Sequence, residues 1–172
     1  MPIEPPLVLD TDFLSSFAWV NRLEIIEQLY FGEMIILEEV MIELGRVTHL
    51  EAGVKQCVMN ASICRVSMLA GSYEALELAR LLDTGKYGRG ECACMAYLKY
   101  NPGTLGSNNL RDIKEFCMCN NKQILCTGDC LCEALQRNII TLSEGNDIWR
   151  KMIEKRRKLP TASFSEYISG FS

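Results

Sequence analysis

Short apolar runs alternate with longer amphipathic segments along most of the chain. The short runs have the length of buried strands and occupy residues 7–9, 34–37, 63–68, 104–105, 123–127 and 139–141. The segments between them space their apolar residues as helices do. They predict helices over residues 13–30, 38–44, 91–100, 111–120 and 130–137, and one on each side of the run at 63–68. This alternation predicts an α/β fold with a parallel sheet covered by helices on both faces.

The C-terminal end differs from the rest of the chain, which shows no linker, low-complexity tract or break in composition. We expect one domain over residues 1–148, with an appendage over residues 149–172, a basic helix at 149–159 followed by a tail, packed on it. Phe164, Tyr167 and Phe171 in this tail are apolar enough to dock on the domain itself or on a partner chain.

The composition fits one globular domain and narrows the function classes. Hydrophobic residues make up 48% of the 172 positions, and 18 Lys and Arg stand against 22 Asp and Glu, for a net charge of −4. This balance excludes a protein that binds nucleic acid through bulk positive charge, but not an enzyme with a local basic patch. The single histidine, His49, excludes a multi-histidine zinc centre and disfavours hydrolases with a catalytic histidine.

The nine cysteines first suggest disulfides or zinc. Residues 1–6 contain acid and proline without a basic start, and no apolar run approaches about 18 residues. We therefore expect neither a secretory signal nor a membrane span, and a cytoplasmic protein with free thiols. The paired cysteines are spaced C-x-C, so the members of each pair diverge on a helix, and packing is favoured over zinc binding.

Acidic residues follow several of the predicted strands and the glycine-rich loop at 84–90. The ends of parallel strands share one rim of the sheet, where ligands bind in open α/β folds. Carboxylates that meet there repel one another and need a counter-charge, which Mg²⁺ or Mn²⁺ with oxygen ligands would supply. The acids in such positions are Asp10, Glu43, Glu91, Asp112 and Asp129.

Each candidate also has a plainer explanation. Asp10 and Asp129 could be helix caps, and Asp12 is expected to cap the helix that begins at residue 13. Glu91 suits any first helical turn, and Glu43 could be a solvated helix residue. Candidates for phosphate contacts are Lys86, Arg89, Arg111 and the basic residues of 150–158. The alternative for the glycine-rich loop is a turn between two helices, and the alternative for 150–158 is a solvated charged face. Thr127 could support a ligand carboxylate or simply end a strand.

Five segments together resemble the PIN-domain family. They read LVLDTDFL, VMIEL, GRGECACMAYL, SNNLRDI and ILCTGDCLCEAL, and the resemblance runs from about residue 7 to 141. It implies a three-layer α/β/α sandwich with a central parallel sheet of about five strands. It also implies Mg²⁺- or Mn²⁺-dependent endoribonuclease activity on RNA, as in the toxins of toxin–antitoxin pairs. An antitoxin protein and a homodimer are the partners that this resemblance suggests.

The resemblance also assigns residues to the site. Asp10 matches the first metal-binding acid, Glu43 the acid of the V-x-x-E-L helix, Glu91 that of G-x-G-E and Asp129 that of T-x-D. The chain departs from the family at Asn108 and Asn109, where PIN nucleases commonly carry Asp. Either the amide of Asn109 replaces a carboxylate ligand, or Asp112 substitutes for it. The alternative function is a catalytically impaired PIN-like module that binds RNA or protein.

Overall fold

A computed structural model describes the protein from residue 3 to residue 170. Phe171, which we expect to dock beside Phe164 and Tyr167, lies outside the described residues. So do residues 1, 2 and 172, which belong to the predicted domain and its tail.

The centre of the fold is a five-stranded sheet in the order β3-β2-β1-β4-β5. The strands are β1 Leu7–Leu9, β2 Met34–Leu37, β3 Ile63–Val66, β4 Thr104–Gly106 and β5 Gln123–Leu125. Every neighbouring pair is parallel, and Leu7 in the central strand lies opposite both Met34 and Thr104. All of β1 is buried, because a parallel strand with helices on both faces has no solvent side. The predicted α/β fold with a central parallel sheet is confirmed.

Ten helices surround the sheet within residues 3–170. They are α1 Thr11–Trp19, α2 Leu23–Tyr30, α3 Glu38–Leu44, α4 Thr48–Met59, α5 Tyr73–Asp83, α6 Arg89–Tyr100, α7 Leu110–Cys119, α8 Thr127–Gln136, α9 Leu142–Glu154 and α10 Phe164–Ser169. Helices α1, α2, α4, α8 and α9 contact one another, whereas α5 pairs with α6, which crosses β1, β2 and β4. No helix of this part of the chain has the length and apolar content needed to cross a membrane.

Several element boundaries differ from the prediction. The helix predicted over residues 13–30 is interrupted at Asn21, whose φ of 54° cannot continue a helix. The strand predicted at 123–127 ends at Leu125, because Thr127 already begins α8. Residues 139–141 form no strand: the Thr141 side chain accepts a hydrogen bond from the Glu144 N–H at 3.2 Å, and this capping box starts α9. The predicted helix at 149–159 thus begins and ends earlier.

The C-terminal tail docks on its own domain, which is one of the two alternatives left open by the sequence. Trp149 of α9 and Phe164 of α10 are fully buried, and their ring centroids are 5.7 Å apart. The Tyr167 ring lies 5.2 Å from that of Trp149. The buried side chains of Trp149, Phe164 and Tyr167 therefore extend the core of the domain into α9 and α10.

All nine cysteines are free thiols, and six are buried. The six are Cys57, Cys92, Cys94, Cys117, Cys126 and Cys130. Burial raises the pKa of Cys126 to about 11 and that of Cys57 to about 12. The expected packing role is confirmed for these six.

Candidate functional site

Asp10 lies at the carboxyl end of the central strand, between β1 and β4. Its N–H donates to the Gly106 carbonyl at 3.0 Å and so continues the β1–β4 pairing by one residue. One carboxylate oxygen accepts from the Thr11 N–H at 2.7 Å and the other from the Ser107 hydroxyl at 3.1 Å. The side chain is therefore both the cap of α1 and a fixed, buried acid at the rim of the sheet.

Asp12 lies in the first turn of α1 and faces the end of β4. Its carboxylate accepts from the Asn108 N–H at 3.2 and 3.3 Å and from the Ser107 hydroxyl at 3.4 Å. The prediction that Asp12 caps the helix is wrong, because α1 begins at Thr11 and Asp10 is its cap. Asp12 is thus a site residue that the sequence reasoning missed. Its signal was the D-x-D spacing after β1, which places both acids at the same strand end.

Glu91 and Asp112 approach each other from the first turns of α6 and α7. The side-chain amide of Asn109 bridges them, donating to Glu91 Oε1 at 2.8 Å and to Asp112 Oδ2 at 3.0 Å. Asn109 thereby lies in the site, as the sequence suggests, but it presents N–H donors to the two acids. Coordination of a cation by its oxygen requires the amide to turn over. The Asp112 carboxylate lies beside Asn109, within hydrogen-bond distance of its amide.

Glu43 holds the beginning of α6 against the beginning of α1. Its carboxylate accepts from the Thr11 hydroxyl at 2.6 Å and from the Gly90 N–H at 2.9 Å. A Cβ on residue 90 would lie 2.7 Å from Glu43 Oε2 and 2.9 Å from Thr11 Oγ1, so this close approach requires glycine. The G-x-G-E segment therefore owes its second glycine to packing against Glu43.

Two adjoining cavities open over these residues. A cavity of about 260 Å³ is lined by Asp10, Asp12, Glu43 and Glu91, and one of about 440 Å³ by Asp112, Asn108, Arg156 and Lys158. Asp12, Asn109 and Arg157 line both, so the two form one cleft. We call Asp10, Asp12, Glu91 and Asp112 the acid cluster, and Arg156, Arg157 and Lys158 the basic turn.

Three acids of the cluster, Asp10, Asp12 and Glu91, have raised pKa values. Burial, with the nearby charges of Asp12 and Glu91, raises the pKa of Asp10 well above its ordinary value. Burial also raises the pKa of Asp12, and burial with the charges of Asp112 and Asp12 raises that of Glu91. Several acids with raised pKa values in one cleft are typical of a functional site.

The donor set of the acid cluster fits a hard divalent cation. Carboxylate and amide oxygens are the ligands that Mg²⁺ and Mn²⁺ prefer, and Mg²⁺ often keeps several waters beside one or two carboxylates. Among residues 3–170, no three His, Cys, Asp or Glu side chains stand close enough to enclose an ion by themselves. One or two of the carboxylates of Asp10, Asp12 and Glu91 would therefore bind a cation directly, and water or phosphate oxygens would complete its coordination.

Asp129 and Thr127 lie apart from the acid cluster. Asp129 accepts from the Tyr167 hydroxyl at 2.9 Å and from the Cys126 N–H at 3.2 Å, in the capping box that begins α8. It lines a separate cavity, between α8 and the strands β4 and β5. Thr127 is fully buried, and its N–H donates to Asn108 Oδ1 at 2.9 Å. Thr127 thus supports the loop after β4 and lines neither cavity of the cleft.

The basic residues divide into those that reach the cleft and those that do not. Lys86, Arg89 and Arg111 are exposed, and none of the three lines either cavity of the cleft. Arg157, by contrast, lies in both cavities and donates to the Ser15 hydroxyl at 3.0 Å. The basic turn therefore supplies the positive charge nearest to the acid cluster among the described residues that line the cleft.

Comparison of the chain with protein-family models, with curated proteins and with solved structures finds no match. The functional interpretation accordingly depends on the cleft itself. The cleft joins one buried and two half-buried acids with raised pKa values to a group of cations, at the carboxyl ends of two central parallel strands.

Proposed function

We propose that the protein is a metal-dependent endoribonuclease of the PIN-domain type. The observation that carries the proposal is the acid cluster, in which Asp10, Asp12 and Glu91 share one cleft with raised pKa values. Carboxylates grouped in a partly buried cleft repel one another at a cost in free energy, which a divalent cation offsets directly. The neighbouring cations of the basic turn suit a polyanionic substrate.

In this proposal, Asp10, Asp12 and Glu91 surround the position of Mg²⁺ or Mn²⁺: one or two of these carboxylates would bind the ion directly and the rest through water, with Asp112 on the other side of Asn109. The bound ion would lower the pKa of a water molecule and offset negative charge on the phosphate. Hydrolysis adds water across one P–O bond: the water oxygen bonds to phosphorus, and the ester oxygen leaves with a proton. Glu91 Oε2, the oxygen that Asn109 does not bind, is the proposed acceptor of the proton from the attacking water.

The other carboxylates have supporting parts in this mechanism. Glu43 keeps the first turn of α6 against α1 through Gly90 and Thr11, and so fixes the separation of Glu91 from Asp10. Ser107 orients Asp10 by donating to its second oxygen. Asp112 provides charge beside Asn109, which favours an active nuclease over the impaired module as the function of this site.

The decisive experiment is cleavage of a labelled single-stranded RNA with Mn²⁺ or Mg²⁺. We expect cleavage by the wild type, its loss in EDTA, and a loss of at least about a hundredfold in Asp10→Asn. Asp83→Asn, which changes an exposed acid at the end of α5, is the matched control and should retain full activity. Cleavage that persists in EDTA or in Asp10→Asn would overturn the proposal. RNA binding without cleavage in any metal would favour the impaired module.

A further inference from the structure

The end of α9 places an arginine where helices ordinarily place glycine. Arg156 has φ 59°, its N–H donates to the Ile153 carbonyl at 2.8 Å, and the Arg157 N–H donates to that of Met152 at 2.9 Å. These two hydrogen bonds form a Schellman ending, whose left-handed position favours glycine because a Cβ is strained there. The other non-glycine residues with positive φ in the described chain are three Asn, which tolerate it better, and Ala61. Backbone geometry therefore does not account for the arginine.

The cations of the basic turn also differ from those earlier on the same helix. Arg150 pairs with Asp147 at 2.5 Å and with Glu154. Within residues 3–170, no member of the basic turn is in an ion pair. The helix dipole favours positive charge at this end of α9. It does not explain why these cations line a cleft of carboxylates and yet do not pair with them. Their charge remains available to a ligand.

Arg157 is fixed in an orientation suited to binding an anion. Its Nη1 donates to Ser15 Oγ at 3.0 Å and its Nε to the Lys155 carbonyl at 3.3 Å. A guanidinium has five N–H donors, so three have no acceptor among the described residues. Arg157 is half-buried and lines both cavities, whereas the two neighbouring cations are exposed and line only the larger one.

We infer that the basic turn binds the phosphate next to the scissile phosphate of a single-stranded RNA. This inference rests on the proposed function, in which the acid cluster holds the scissile phosphate. One strand can occupy both cavities because they share Asp12, Asn109 and Arg157. Guanidinium groups bind phosphate through paired N–H donors, and a substrate without a phosphate at this position should therefore be cleaved poorly.

The test measures binding separately from cleavage. A short fluorescein-labelled oligouridylate is titrated in EDTA with Arg157→Ala and with Arg156→Gly, and its anisotropy is followed over a range of salt concentrations. We expect affinity to fall roughly tenfold in each variant, and the slope of log affinity against log salt to decrease by about 0.7 for each lost phosphate contact. Arg156→Gly relieves the left-handed strain, so its thermal midpoint should not fall. If Arg156 were only structural, Arg156→Gly would lower the thermal midpoint and leave the affinity for RNA unchanged.

Arg150→Ala is the matched control, because it removes a paired cation from the same helix and should leave affinity and slope unchanged. Cleavage by the wild type with equal affinities and slopes in Arg150→Ala, Arg156→Gly and Arg157→Ala would overturn the phosphate site but not the nuclease. Weakened binding in the two basic-turn variants, without cleavage by the wild type in any metal, would overturn the nuclease but not the phosphate site. A wild type that does not bind the RNA at all would overturn the phosphate site.

Discussion

Asp10 is an acid held almost out of water, 5% exposed, at the end of the central strand. Its folded-state pKa is raised above the unfolded value, so its contribution to stability is complete below about pH 4 and is lost as the pH rises through the raised pKa. Ionisation of the buried Asp10 carboxyl therefore lowers the free energy of unfolding at neutral pH. Asp10→Asn removes this loss, and asparagine is also a good helix cap. In EDTA we expect the variant to be more stable than the wild type by at least about 1 kcal/mol at pH 7.5, as measured by urea denaturation.

The pH dependence of the stability difference between Asp10→Asn and the wild type tests the sign of this effect. The advantage of Asp10→Asn should be near zero at about pH 4 and should grow as the pH rises, because only the wild type ionises at this position. Asp83→Asn, at an exposed position, should show no such growth. A variant less stable than the wild type across the whole range would mean that the Asp10 carboxylate stabilises the fold.

At the scale of single residues, the sequence predicted part of the candidate site. Strand-end logic identified Asp10 and the glycine loop identified Glu91, and the structure brings both into one cleft. The sequence could not separate Asp129 from these two acids, because Tyr167, whose hydroxyl donates to the Asp129 carboxylate, is 38 residues away along the chain. Asp12 was predicted to be a helix cap and not a site residue, because the start of α1 was predicted two residues too late.

At the scale of elements, the docking of α10 depends on close ring–backbone contacts. A Cβ on Gly145 of α9 would lie 2.4 Å from Phe164 Cδ1. Gly145→Ala should therefore lower the free energy of unfolding by about 1–3 kcal/mol through overpacking, although alanine is the better helix former. Trypsin should also cut faster in the segment between α9 and α10, which contains the basic turn.

Gly53→Ala is the matched control for this prediction, since Gly53 is also a helical glycine. Its Cβ would meet only Leu23 Cδ1, at 3.1 Å, the end of a flexible side chain. It should leave stability within about 1 kcal/mol of the wild type or raise it through helix propensity. Equal effects of the two substitutions would show that the ring of Phe164 can move away at little cost.

Helix ends explain where the element predictions were wrong. The T-x-x-E sequence at Thr141–Glu144 is a capping signature, but the apolar pair before it reads as a strand. The capping box that begins α8 uses Cys126, and cysteine is not a typical residue of the N-cap position. Amphipathic stretches such as α7 were predicted to within one residue at each end, because their apolar positions recur with the period of a helix.

At the scale of the whole molecule, strand order determines which acids meet. The chain passes from β1 to β2 and β3 on one side, then crosses to β4 and β5 on the other. The crevice of such a sheet lies where the connections diverge, at the ends of β1 and β4, where Asp10 and Ser107 hydrogen-bond. Alternation of strands and helices predicts a parallel sheet but not this order. Asp129 follows the edge strand β5, and its carboxylate accepts from Tyr167 of the tail instead of lining the cleft.

A cation in the acid cluster would join the ends of β1 and β4 to α1, α6 and α7, so its binding should stabilise the whole fold. Saturating Mn²⁺ at about a hundred times its dissociation constant adds about 2.7 kcal/mol to the free energy of unfolding. We expect Mn²⁺ to raise the thermal midpoint of the wild type and of Asp83→Asn, but much less that of Asp12→Asn. Protons compete with the ion for carboxylates of raised pKa, so the increment should be larger at pH 8 than at pH 6. An equal increment in Asp12→Asn would place the ion elsewhere and remove Asp12 from the site.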